Sequence, residues 1–90
     1  KPQNAYLYYC RANLYAHQGN NEKAVADYTM AIKLDNRFAE AYFNRGLTYI
    51  ALDNRSLGVK DLSKAGELGL YSAYNIIKKN SASATKKQSK

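Results

Sequence analysis

Few residues in this chain could do covalent or metal chemistry, and none has the company it would need. His17 could ligate a metal or act as a base, but there is no second histidine, and Cys10 is the one cysteine. A metal site needs further ligands at suitable spacing. His17 therefore reads as a solvent-facing imidazole near a helix C-terminus, where positive charge is favoured. Cys10 has no histidine at helical spacing to activate its thiol and reads as a small, half-buried residue. The acidic residues are scattered over positions read as solvated. Asp27 and Asp61 stand 34 residues apart, a repetition that suits a structural or surface role better than a catalytic pair. Gly58, Gly66 and Gly69 fall within or at the end of predicted helices and lack the preceding strand of a phosphate-cradling loop. No enzyme, cofactor or metal is expected. What remains is contact chemistry, carried by nine tyrosines and two phenylalanines. Such rings offer rigid apolar area at low entropic cost.

Those rings are laid out by a repeat. Residues 5–38 and 39–72 align at an offset of 34 with nine identical pairs. They are Ala5/Ala39, Tyr8/Tyr42, Arg11/Arg45, Tyr15/Tyr49, Asn20/Asn54, Val25/Val59, Asp27/Asp61, Ala31/Ala65 and Leu34/Leu68. A period of this length marks a unit that buries its apolar face by stacking on a neighbour. Within each unit, Tyr8, Ala12 and Tyr15, then Tyr42, Gly46 and Tyr49, recur at helical spacing. So do Ala24, Tyr28 and Ala31, then Gly58, Leu62 and Ala65. Gly19-Asn20-Asn21 and Asp53-Asn54 interrupt the pattern, and Asn20 and Asn54 are expected to cap the next helix through their side chains. Gly69 is expected to stop a helix in the left-handed conformation after Leu68. Ala73, 34 residues after Ala39, opens a third unit that is never completed. The expected layout is all-α, two helix–turn–helix units and a shorter capping helix over residues 71–79, forming one domain over residues 1–79.

Ninety residues lie near the lower size at which one core is stable without staples. The formal charge is +7, yet Lys1, Lys78, Lys79, Lys86, Lys87 and Lys90 supply 6 of the 14 positive groups. The remaining body carries 8 positive against 7 negative charges, a net of +1. A nucleic-acid footprint would need Lys and Arg gathered on one folded face, so nucleic acid is not an expected partner. Residues 80–90 have no large apolar side chain and are expected to form a disordered basic tail. No apolar run is long enough to span a bilayer. Beginning at Lys1 without a Met, the chain is expected to be part of a longer protein, whose compartment the sequence does not indicate.

The first-helix order of bulky aromatic, small residue and tyrosine, followed by small, aromatic and small residues, resembles the tetratricopeptide repeat (TPR) family. The likeness runs from Ala5 to about Lys79. Two positions depart from it: Asn36 and Leu70 replace a frequent proline, and Arg11 and Arg45 stand where leucine is common. The resemblance implies a right-handed α-α superhelix whose concave face, lined by the first helix of each unit, binds a protein or peptide. Carried over, that groove presents Tyr6, Tyr9 and Asn13, then Glu40, Phe43, Asn44 and Leu47, with Tyr74 on the capping helix. Tyr9 and Phe43, one repeat apart and outside the stripe of packed residues, are the expected anchors; otherwise they pack on adjacent helices. Asn13 and Asn44 match part of the two-asparagine clamp that some TPR domains close on a C-terminal carboxylate. Tyr9 stands where such a clamp needs lysine, so a full clamp is not expected. The two amides would instead hold an extended backbone, and Glu40 would favour a basic residue. The alternative is self-association, the same apolar strip pairing two copies in a symmetric dimer.

Overall fold

The computed structural model describes residues 3–78. Its helices are α1 (Gln3–His17), α2 (Asn21–Leu34), α3 (Ala39–Ala51), α4 (Arg55–Glu67) and α5, residues 72–78. No strand occurs among the described residues. Lys79 and the tail expected over residues 80–90 lie outside them.

Three turns are closed by the same backbone device. Gly19, Asp53 and Gly69 have φ of 81°, 65° and 110°. In each turn the next amide reaches back five residues: Asn20 N to Tyr15 O at 2.8 Å, Asn54 N to Tyr49 O at 2.8 Å, Leu70 N to Ala65 O at 3.0 Å. A left-handed residue with this bond satisfies the carbonyls left over at a helix end. Gly69 takes the expected role, and Asp53 does in the second unit what Gly19 does in the first.

The capping asparagines differ from each other. Asn54 Oδ1 accepts from Leu57 N at 3.2 Å, whereas the Asn20 side chain makes no cap bond. Both sit with ψ of 73–74°, short of the extended value that aims a cap side chain at the first turn. With φ of −89° against −112° for Asn54, Asn20 contributes only its carbonyl, which accepts from Ala24 N at 3.1 Å.

Each unit is a helical hairpin pinched at small residues. Ala12 and Ala24 are fully buried where α1 meets α2. At the matching place in the second unit, a methyl built on Gly46 would lie 2.8 Å from Gly58 O, and one on Gly58 would lie 2.6 Å from Ile50 Cγ1. The units join where Ala31 and Ile32 of α2 meet Phe38 and Ala41 around α3, with Ala5 of α1 in the same cluster. The last helix covers α4: Ala73 is fully buried against Leu62 and Ala65, with Leu70, Ile76 and Ile77 around them.

Arg11 and Arg45 have a structural task that the spacing of apolar residues does not reveal. Arg11 grips Asp27 with Nε to Oδ2 at 2.6 Å and Nη2 to Oδ1 at 2.9 Å. Arg45 grips Asp61 through the same atoms at 2.7 and 2.9 Å. Asp27 and Asp61 are therefore buried, not solvated as expected. A planar guanidinium matches both carboxylate oxygens at once, and each is flanked by two tyrosine rings. Arg11 lies 5.7 and 5.9 Å from Tyr8 and Tyr15, and Arg45 lies 5.9 and 5.6 Å from Tyr42 and Tyr49. The rings stabilise the cation while the carboxylate, drawn from the next helix, neutralises it. The pair locks each hairpin.

Candidate functional site

The residues expected to line a groove come from three helices. On α1, Tyr6 is exposed (53%) while Tyr9 and Asn13 are half-buried. On α3, Glu40 and Leu47 are exposed, and Phe43 and Asn44 are half-buried. Tyr74 of α5 is exposed, its ring lying over Gly66 so closely that a methyl there would sit 2.5 Å from Tyr74 Cζ.

Tyr9 and Phe43 do not stand clear of the packed stripe. The Tyr9 ring is 4.8 Å from Phe38 and 6.0 Å from Tyr28, with Tyr6 at 6.2 Å on its outer side. Phe43 packs on the Leu62, Ala65 and Ala73 cluster. Tyr9 is drawn in where Ala5 of α1 meets Phe38 and Ala41 at the start of α3, and Phe43 where α3 meets the cluster shared by α4 and α5. Both rings become a floor, half in the core and half toward solvent.

A polar network crosses that floor. Asn44 Nδ2 donates to Tyr9 Oη at 3.1 Å and to Asn13 Oδ1 at 3.1 Å, and Tyr28 Oη donates to the same Asn13 oxygen. Burial, and then the neighbouring Tyr9, push the Tyr28 phenol up to about 12. It remains a neutral donor across the physiological range. The structure thus brings Tyr6, Tyr9, Asn13 and Asn44 into one cluster. Phe43 lies next to Asn44 in sequence, and Leu47 one turn beyond. Tyr74 lies instead over Gly66 of α4. The network takes up Asn13 Oδ1 and Asn44 Nδ2; Asn13 Nδ2 and Asn44 Oδ1 have no part in it. Sequence reasoning paired the two asparagines but missed Tyr28 as their support. The available signal was a tyrosine hydroxyl in a fully apolar setting, which requires a partner.

Among the described residues no group of three or more His, Cys, Asp or Glu could hold a metal ion, and no helix is long and apolar enough to cross a membrane. Cys10 is half-buried and its side chain pushes the neighbouring Tyr6 phenol above its ordinary value. His17 is exposed at the end of α1.

Two family models match the chain, one described as a TPR repeat over residues 12–53 and one as a tetratricopeptide repeat over residues 39–68. No curated protein matches it. Repeats of this kind are in general protein–protein interaction modules and typically non-enzymatic scaffolds. The two matches meet across residues 12–68, more than half of the sequence, over hairpins that recur with the same period. The chain belongs to the tetratricopeptide repeat family.

Proposed function

We propose that this chain holds a short segment of a partner protein along the strip that runs from Tyr6 over Tyr9, Asn13 and Asn44 to Phe43 and Leu47. The observation that carries the reading is an exposed rim over an aromatic floor: Tyr6 and Leu47 project at 53% and 37% exposure beside half-buried Tyr9 and Phe43. Convergent apolar area of this kind favours a protein contact. Asn13 Nδ2 and Asn44 Oδ1 offer one donor and one acceptor, the complement of a peptide group. Tyr74, exposed on α5 beside Gly66 of α4, would extend the strip.

Two units make a short groove, so the expected affinity is about 1–100 μM, roughly 5–8 kcal/mol. Truncating Tyr9 or Phe43 would disturb the core as well as the surface, so the test uses the exposed rim. The purified chain captures its partner, the bound segment is mapped by mass spectrometry, and the segment is titrated by calorimetry. Tyr6→Ser with Leu47→Ser should weaken binding at least about tenfold with unchanged circular dichroism. Affinity within twofold of the parent would sink the assignment. A dimer by light scattering that reverts to monomer on Leu47→Ser would transfer the strip to self-assembly.

A further inference from the structure

The two hairpin corners share a backbone but carry different side chains. The first reads Gly19-Asn20-Asn21-Glu22 and the second Asp53-Asn54-Arg55-Ser56. Helix-start energetics accounts for the first. Glu22 puts an acid in the opening turn of α2, where the helix dipole favours negative charge. The second corner goes against that preference. α4 has no acid in its first turn and opens on Arg55, a cation at the positive end of the dipole. Ser56 has no visible part in the fold: Asn54 supplies the cap, and the Ser56 hydroxyl makes no hydrogen bond among the described residues. What the triplet does fit is a modification signal. Asn54 alone among the chain's asparagines has Ser or Thr two residues on, the spacing of an acceptor for N-linked sugar when the middle residue is not proline. The corner also presents it. Residues 53–57 are all exposed, whereas Asn20 and Asn21 of the first corner are half-buried. Asn54 Oδ1 accepts from Leu57 N at 3.2 Å, and Nδ2 has no partner among the described residues.

We propose that Asn54 is a glycosylation site, its Nδ2 taking an oligosaccharide from a lipid-linked diphosphate donor on a transferase. The nitrogen attacks the anomeric carbon of the first sugar. The C–N bond forms, the C–O bond to the diphosphate breaks, and the diphosphate leaves with the electron pair. One Nδ2 proton passes to a base of the transferase. Arg55 and Ser56 are helical in the folded chain, so transfer comes before α4 winds. The closed corner then accepts the product without rearrangement. The carboxamide keeps its oxygen for Leu57 N and retains one N–H, and the sugar grows from the atom that no neighbour uses. The cap and the attachment therefore divide one side chain between them, oxygen inward to the helix and nitrogen to the glycan.

The test routes the 90-residue chain through the secretory pathway of a eukaryotic cell behind a cleavable leader and maps peptides from both lysate and medium. The expected result is an N-acetylhexosamine-linked glycan on Asn54 in most molecules. Release by an amidase should convert that carboxamide to a carboxylate, at this position and no other. Ser56→Ala, which leaves the cap in place, should abolish the glycan, and Ser56→Thr should keep it. The glycosylated chain should retain the helicity of the unmodified chain by circular dichroism. A chain left unmodified in both fractions overturns the proposal. So does a glycan that survives Ser56→Ala, or a phosphate on Ser56 in its place. Glycosylation with loss of helicity overturns the fit of the sugar to the closed corner.

Discussion

A phenol at the junction of three helices must stay protonated to remain where it is. Tyr28 is 2% exposed, and burial raises its pKa from 10.0 to about 12. The folded chain therefore holds this proton more tightly than the unfolded chain does. The resulting stability is intact below pH 10 and is lost as pH rises through about 12. Across that window the loss reaches up to about 1.4 kcal/mol per pH unit. Denaturant titrations at pH 9 to 12 should show a shallower decline for Tyr28→Phe than for the parent chain, and equal slopes would assign the loss to other groups. The Arg–Asp grips were less legible at this scale. Each carboxylate stands 16 residues after its arginine, with a whole turn between them. The signal was present all the same, because both members recur unchanged at the repeat offset, and a charge kept together with its opposite at fixed distance invites pairing.

Helix pairs were the most legible elements, because close approach demands small side chains at a helical spacing and little else satisfies it. Gly46 shows how firm that demand is. Alanine there would gain about 1 kcal/mol of helix propensity. Its methyl, however, would meet Gly58 O at 2.8 Å, Leu62 Cγ at 3.1 Å and Asp61 Cβ at 3.2 Å. A backbone carbonyl cannot turn aside, so α3 and α4 must part, and the expected net loss is about 1–3 kcal/mol by chemical denaturation. Gly66→Ala is the control, since the atoms nearest its methyl belong to the partly exposed Tyr74 ring, which can swing away. The half-burial of Tyr9 and Phe43 and the bond between Asn13 and Asn44 were not legible. They depend on the angle between units, and periodicity along a single helix carries no record of that angle.

The whole molecule is a row of neighbours, each touching the next, so its cooperativity rests on what crosses from one hairpin to the other. Besides apolar contact, the Arg45 guanidinium binds Asp61 on α4 and Thr29 on α2. Thr29→Val keeps shape and leaves the Asp61 grip intact while removing one of the polar bonds between units, together with the Thr29 hydroxyl's own bond to Val25 O. It should cost about 1–2 kcal/mol and reduce the denaturant slope, as the hairpins begin to unfold apart. A parallel shift with unchanged slope would mean that apolar contact and the Asn44 bonds to Tyr9 and Asn13 couple them without it. The turns, finally, give the period of 34 a geometric meaning. Gly19 and Asp53 close their hairpins with the same five-residue backbone bond, so neither corner has slack. One inserted residue would rotate the following helix by roughly 100°, swinging its small side chains off their mates like a gear meshed one tooth out. Length changes in a lineage of such chains should therefore collect between hairpins, at residues 35–38, and spare the corners within them.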